Sequence, residues 1–210
     1  MGRLGAEIVQ LAIGEWEFFN GSTRGLSNDA AAGWNIASNE LEDPYRERIN
    51  RYWTVVGEPD WDGATPEPWS GAFICWCFSA AIAAGAFTPS RKHARYIDRI
   101  LRRDGMSPRL RLRPPSRGLE AGDLIWNARG DDQPAGHDEA VERLRAGSYF
   151  DSHVDVVVAV RDGECDSIGG NVYPPGEEGG TVVRSTWRLD DGCALADGRK
   201  NWIGVVKNGL

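Results

Sequence analysis

The chain has 210 residues, with 24 Lys and Arg against 31 Asp and Glu, a formal net charge of −7, and 41% hydrophobic and 10% aromatic residues. The length fits a single domain over 1–210, and the composition excludes a disordered chain, a coiled coil or collagen. The acidic balance argues against a nucleic-acid-binding surface, and no apolar stretch approaches the roughly 18 residues that span a membrane. No signal peptide is visible, which leaves a cytoplasmic location and signal-independent export both open.

The first half of the sequence has the apolar spacing of amphipathic and buried helices, with apolar residues recurring at about 3.6 residues. Ser70 stands where an N-cap is expected and Gly85 where a C-terminal glycine is expected. The fourth helix carries the one basic patch, which continues to Arg113. The predicted helices cover 5–19, 44–56, 70–84 and 91–103.

The second half has short β-branched runs bounded by turn residues, which predict strands at 122–126, 154–160, 165–168, 181–187 and 202–206. Helices followed by strands indicate an α+β fold, with N-terminal helices packed on an antiparallel sheet of about five strands. The stretch from Arg129 to Glu139 is rich in Asp, Gly and Gln, and we expect His137 to lie there on a mobile loop.

The four cysteines, Cys75, Cys77, Cys165 and Cys193, are too few for a disulfide scaffold, so free thiols are expected. Cys75 and Cys77 fall in the predicted buried helix, which favours a place in the core over a catalytic role. The three histidines show no metal-ligand spacing. We therefore expect neither a metal nor a cofactor.

Ser70 is the first candidate for chemistry, because it lies at the mouth of the buried helix in Pro68-Trp69-Ser70-Gly71-Ala72-Phe73. The helix dipole and the unpaired N–H groups at such a position favour a nucleophile or an oxyanion. The competing interpretation is that Ser70 only caps the helix.

The other candidates lie on two consecutive strands. His153 begins a buried strand, where an imidazole is held rigidly and can take a proton from a hydroxyl. Asn171 follows Gly169-Gly170, a pair that we expect to turn the backbone sharply and present the amide to the imidazole. Asp155, two residues after His153 on the same strand face, is the alternative orienting residue. Each of these residues alone is more often structural.

In this order the residues resemble the NlpC-like and CHAP-like branch of the papain-fold amidases and peptidases, and within it the bacterial family called domain of unknown function 2272. The resemblance extends over about residues 8–207. The matching pieces are Glu15-Trp16, Arg51-Tyr52-Trp53, Pro68 to Ile74, His93 with Tyr96-Ile97, Gly122-Asp123-Leu124-Ile125, Ser152-His153-Val154-Asp155 and Ile168-Gly169-Gly170-Asn171-Val172.

The resemblance implies a papain-like fold, with a helical extension at 1–67 and a catalytic core at 68–210. It also implies hydrolysis of amide bonds in peptidoglycan peptides by an amidase or endopeptidase, with Ser70 as nucleophile, His153 as base and Asn171 as orienting group. The active relatives have cysteine where this chain has Ser70. Three explanations stay open: a working serine nucleophile, a site that retains only binding, and an introduced Cys-to-Ser change.

Secondary candidates have competing interpretations as well. Trp69 and Trp126 belong to the cleft walls or to the core, and His93 with Tyr96 lines a cleft or faces solvent. Asp123 stabilises a turn or lines the site. The rival functions are a non-catalytic module that binds a cell-wall peptide or a protein partner, and an acyl transferase. The expected ligand is a peptidoglycan stem peptide, and an immunity or delivery protein is a further candidate partner.

Overall fold

The computed structural model describes residues 2–27, 32–81, 87–115 and 118–210. These residues form an α+β fold of helices packed on one large sheet. The five helices of the described residues are α1 (Arg3–Phe18), α2 (Tyr45–Val55), α3 (Ser70–Ala81), α4 (His93–Arg102) and α5 (His137–Arg145). The strands are β1 (Thr23–Arg24), β2 (Trp34–Asn35), β3 (Leu110–Arg113), β4 (Leu124–Ala128), β5 (Ser152–Arg161), β6 (Glu164–Val172), β7 (Thr181–Arg188) and β8 (Asn201–Asn208).

The sheet has eight strands in the order β2-β1-β7-β6-β5-β4-β8-β3 among the described residues. Neighbouring strands are antiparallel except β1 and β7, which run parallel. The expectation of about five antiparallel strands was therefore wrong in number and in uniformity. The sequence did not predict β1 and β2 because strands of two residues are too short to show a hydrophobic period. It did not predict β3 because the Leu-Arg alternation there resembles a continuation of the basic patch.

The predicted helices of the first half are present with small shifts at their ends. The predicted end of the third helix, at 84 with Gly85 behind it, lies outside the described residues. The loop expected around His137 was wrong, because His137 begins α5 and its Nδ1 lies 2.8 Å from the Ile203 carbonyl oxygen. That helix buries only Ala140 and Leu144, which is too little apolar surface to show in the sequence.

The two faces of the sheet pack against different partners. Side chains alternate along β5, so Val154 and Val156 join the large core beneath the helices, while Val157 joins a smaller cluster on the opposite face. His153 and Asp155 share the alternation of Val157. The two residues of the predicted Ser152-His153-Val154-Asp155 motif that carry chemistry thus lie on the sheet face opposite Val154 and Val156, although His153, near the start of β5, still reaches the first residue of α4.

The described part of the first 67 residues packs into the same body as the other described residues. Ile8 and Ala12 of α1 are fully buried in the large core, and β1 joins the sheet beside β7. The buried carboxylate of Glu15 accepts hydrogen bonds from Arg48 and from the Tyr52 hydroxyl, which ties α1 to α2. Within the described ranges no helix is both long and apolar enough to cross a membrane.

Candidate functional site

A cleft of about 690 Å³ opens between the N-terminus of α3, the start of α4 and the ends of β4, β5 and β6. Ser70 and His93 line it together with residues of both charges, and exposed tyrosines stand among its walls. The lining residues are Pro66, Glu67, Pro68, Ser70, Arg91, Lys92, His93, Ala94, Arg129, Gly130, Tyr149, Phe150, Asp151, Ser152, Asn171 and Tyr173.

The Ser70 hydroxyl pairs with a histidine, but that histidine is His93. Ser70 Oγ lies 2.8 Å from His93 Nε2, and both side chains are buried. Among the described residues no hydrogen bond joins Ser70 to His153 or to Asn171. The Phe73 N–H donates to the Trp69 carbonyl, so Trp69 occupies the N-cap position and Ser70 is the first residue of the helix. The Ser70 hydroxyl contacts an imidazole and does not cap the helix.

Gly71 makes the approach of Ser70 and His93 possible. A β-carbon at this position would lie 2.0 Å from the Arg91 carbonyl oxygen, so only glycine lets the segment before α4 pack against the first turn of α3. His93 follows two residues after Arg91 as the first residue of α4. The close contact between the Gly71 and Arg91 backbones therefore places the His93 imidazole beside the Ser70 hydroxyl.

His93 is held as a neutral imidazole. Its pKa lies well below the ordinary value of 6.5, because of burial first and then the charges of His153 and Arg129. Its second nitrogen, Nδ1, lies 2.5 Å from the Tyr96 hydroxyl one turn along α4. Burial also raises the pKa of Tyr96 well above its ordinary value, so this hydroxyl stays protonated. The sequence expectation that His93 and Tyr96 share one helix face agrees with this pairing.

His153 pairs with Asp155, the residue that the sequence suggested as an alternative orienting group. His153 Nε2 lies 2.8 Å from Asp155 Oδ1, although the two atoms are not aligned for a hydrogen bond. Ser167 donates to Asp155 Oδ2 at 2.9 Å. Burial raises the pKa of Asp155, but His153 and the Ser167 hydrogen bond outweigh it and hold that pKa below its ordinary value. The His153 ring lies edge-on to His93 with 5.5 Å between centroids.

Asn171 contacts a carboxylate, Glu40, which the sequence did not single out. Asn171 Nδ2 donates to Glu40 Oε2 at 3.0 Å, the Trp69 indole donates to the same oxygen, and the Tyr173 hydroxyl donates to Oε1 at 2.9 Å. Asn171 has a φ of +56°, a left-handed conformation that asparagine tolerates. It lines the cleft but has no contact with either imidazole among the described hydrogen bonds.

The glycines before Asn171 act by close packing, so the expected sharp turn at Gly169-Gly170 was wrong. Strand β6 continues through both glycines to Val172. A β-carbon on Gly169 would lie 1.9 Å from Asp155 Oδ1, and one on Gly170 would lie 2.5 Å from the Trp69 ring. Each glycine admits a side chain of the site region on its own face of the sheet.

A second pocket, of about 90 Å³, adjoins the cleft on the His153 side. Arg129 and Tyr173 line both cavities. The residues that line the second pocket are Arg24, Trp34, Asn127, Arg129, His153, Asp155, Val172, Tyr173, Ser185, Trp187 and Lys200. The predicted Ser70, His153 and Asn171 thus meet in one region, but each has a different partner.

The remaining candidates lie in the core or in a turn. Trp69 and Trp126 are almost fully buried, and Trp126 stacks on Phe150 with 5.7 Å between centroids. Asp123 accepts hydrogen bonds from the Glu120 and Asn208 backbone and from Lys207, so it fixes the turn before β4.

The cysteines contribute no nucleophile near Ser70. All four are free thiols, and Cys75 and Cys77 are fully buried in α3. Burial raises the pKa of Cys75 to about 12 and that of Cys77 well above its ordinary value, which keeps both as inert thiols. Within the described ranges no group of three His, Cys, Asp or Glu is placed to hold a metal ion.

Sequence reasoning missed Glu40, Arg129, Tyr173 and Lys200. All four lie in loops or at strand ends, where neither helical nor strand periodicity marks a side chain as buried or inward-facing. The sequence offered only an indirect indication of Glu40, through the motif around Asn171, because a buried side-chain amide requires a hydrogen-bond partner.

A comparison with known proteins gives one family. The sequence model of a bacterial family, described as "Uncharacterized protein conserved in bacteria (DUF2272)", matches residues 39–207. Because this match covers most of the chain, the protein belongs to that family. No curated protein and no solved structure matches it.

Proposed function

We propose that this family member hydrolyses amide bonds in bacterial cell-wall peptides, with Ser70 as the nucleophile and a papain-like arrangement of helix and sheet around it. The observation that carries the proposal is the 2.8 Å contact between Ser70 Oγ and His93 Nε2 at a helix N-terminus in the wall of a 690 Å³ cleft. A hydroxyl beside a neutral imidazole is the first requirement for serine acyl transfer.

In this mechanism Ser70 attacks the amide carbonyl while His93 Nε2 accepts the hydroxyl proton and then donates it to the departing amine. This role requires the tautomer in which His93 Nδ1–H donates to the Tyr96 oxygen. The free N–H groups in the first turn of α3 would stabilise the oxyanion. Water then releases the acyl group from Ser70 in a second step with the same proton transfers.

The assignment of the base differs from the sequence prediction of His153. His93 has the direct contact with Ser70, and the low pKa of its ring keeps the nitrogen free to accept a proton. His153 contacts the His93 ring and is paired with Asp155. We assign His153 a positioning and electrostatic role on His93.

The walls of the cleft suit a peptide that carries both charges. Arg91, Lys92 and Arg129 stand beside Glu67 and Asp151, and Tyr149 and Tyr173 are 39% and 48% exposed. Exposed tyrosines offer flat apolar contact with a hydroxyl at the tip, as peptide- and sugar-binding surfaces do. These features support a cell-wall peptide as substrate.

The test is turnover of purified peptidoglycan and its soluble peptides, with products identified by mass spectrometry. We expect Ser70→Ala to lower the rate by at least about 10³-fold, since it removes the nucleophile. Ser148→Ala, an exposed hydroxyl outside the cleft lining, is the matched control. Equal rates in wild type and Ser70→Ala would refute the nucleophile.

Two further variants distinguish the roles of His93 and His153. We expect His93→Gln to abolish turnover and His153→Gln to retain part of it, because only His93 contacts the serine. The reverse order would restore His153 as the base. A fluorophosphonate probe gives a readout without substrate: it is expected to label Ser70 in the wild type and not in His93→Gln, since only an activated hydroxyl reacts.

The second candidate function is a non-catalytic module that binds the same peptides. It is favoured by Ser70 itself, since the papain-fold enzymes that the sequence resembles use cysteine there, and by the low pKa of His93, which makes it a weak base. Calorimetric binding of cell-wall peptides by a wild type that neither turns them over nor reacts with the probe would establish this function instead.

A further inference from the structure

The second pocket is lined by three cations from different parts of the chain. Arg24 comes from β1, Arg129 follows β4, and Lys200 precedes β8. Among the residues that the structure describes, none of the three has a carboxylate oxygen within ion-pair distance. Arg24 and Lys200 are half-buried and Arg129 is exposed, so two of the three cations are partly removed from water without an ion-pair partner, whereas cations of this kind are normally paired or solvated.

One of these cations is held in place by its surroundings. The Arg24 guanidinium lies between the rings of Trp34 and Trp187, 5.3 and 5.0 Å from their centroids. Burial first, and then neighbouring cations, lower the pKa of both Arg24 and Lys200, while the Asp155 carboxylate opposes this shift.

One residue that lines the pocket has a buried polar atom without a partner. His153 is 7% exposed, and its Nδ1 has no hydrogen-bond partner among the described residues. The acid in the pocket wall, Asp155, is already in contact with His153 Nε2 and bonded to the Ser167 hydroxyl. The residues around the cavity thus carry an excess of positive charge.

We propose that the second pocket binds a free carboxylate of the peptide whose amide lies at Ser70. The inference rests on the proposed function for its substrate, and it adds that the substrate carries this carboxylate close to the scissile bond. Arg129 and Tyr173 line both cavities, so the pocket lies directly beside the cleft. At about 90 Å³ the pocket is small beside the cleft of about 690 Å³, which suits a single small group such as a carboxylate.

The experiment is calorimetric binding to the full chain carrying Ser70→Ala, which prevents turnover. The probes are N-acetyl-D-alanyl-D-alanine, the same dipeptide as its C-terminal amide, and inorganic phosphate. The variants are Arg129→Gln and Lys200→Gln, and the control is Arg109→Gln, an exposed arginine just before β3 that loses the same charge. Arg129 is also exposed, so its replacement leaves folding intact.

We expect the acid to bind at least about tenfold more tightly than the amide, because charge-assisted hydrogen bonds to a carboxylate are lost on amidation. Arg129→Gln and Lys200→Gln should each remove most of that difference, and Arg109→Gln should keep it. Because the experiment measures binding and not turnover, its result does not depend on whether Ser70 is a nucleophile.

Three outcomes overturn the proposal. The first is equal binding of the acid and the amide, which includes the absence of binding by either. The second is a preference for the acid that survives in both Arg129→Gln and Lys200→Gln. The third is tighter binding of phosphate than of the acid, which would assign the pocket to a free inorganic anion.

Discussion

Replacement of Gly169 by alanine perturbs the His153–Asp155 pair directly. The new β-carbon would lie 1.9 Å from Asp155 Oδ1 and 2.9 Å from His153 Nε2. To reach an ordinary contact of 3.4 Å from 1.9 Å, the carboxylate has to retreat by about 1.5 Å. That retreat disrupts both the 2.8 Å contact with His153 and the 2.9 Å hydrogen bond from Ser167.

The expected loss of unfolding free energy is about 3 kcal/mol. Overpacking of a close-packed site costs about 1–3 kcal/mol, and a lost hydrogen bond to a buried charged group costs about 1.5–3 kcal/mol, with the two effects partly overlapping. Gly198→Ala is the matched control, because a β-carbon there meets no atom within 4 Å and the glycine has no left-handed φ. Its effect should stay within about 0.5 kcal/mol.

Urea unfolding followed by tryptophan fluorescence measures both variants, with the midpoint compared at constant m-value. A double-mutant cycle with Asp155→Ala then tests the cause, since removal of the carboxylate removes the clash and the two losses should not add. A cost below about 1 kcal/mol for Gly169→Ala, or full additivity in the cycle, would refute the packing argument.

Three more outcomes follow from buried charges and thiols. Arg48→Met leaves the buried Glu15 carboxylate without its cation and should cost about 3–5 kcal/mol in urea unfolding, whereas Arg46→Met, which breaks an exposed pair, should cost at most about 1 kcal/mol; similar losses would contradict this. Because the folded pKa of His93 lies well below 6.5, the unfolded chain binds a proton that the folded chain rejects. Stability should therefore fall from about pH 7 to about pH 5 by up to about 1.4 kcal/mol per pH unit from this group, and His93→Gln should lack that part of the slope. A disulfide reagent should modify one thiol of the native protein, the half-buried Cys193, and none in Cys193→Ser; rapid reaction of the buried thiols would contradict their raised pKa values.

The sequence predicted the main elements of the fold where apolar residues recur often enough to define a period. Helices α1 to α4 and strands β4 to β8 each have such a pattern. Sequence reasoning missed α5, which buries only Ala140 and Leu144. It also missed the strands β1, β2 and β3, whose positions are set by pairing with other strands, through distant residues such as Arg184 and Asn208. Local pattern carries no information about those partners.

At the site, the sequence predicted which residues come together better than it predicted how they pair. Strand alternation placed His153 and Asp155 on one face, and their contact bears this out. It could not show that this face is opposite to the helical layer, because that depends on which side of the sheet α3 covers. The pairing of Ser70 with His93 depends on the approach of Gly71, in the first turn of α3, to Arg91 in the segment before α4, a contact that no periodicity marks.

The hydrogen bonds of Glu40 show that residues before position 68 are needed to form the cleft. One carboxylate accepts from Trp69, Asn171 and Tyr173, so the wall beside the serine and the wall at the end of β6 share a single acceptor. A chain trimmed to 68–210 would retain Ser70, His93 and His153 but leave those three donors without it. Any portion able to form the cleft must therefore begin before Glu40, and the buried residues of α1 extend that requirement towards the start of the chain.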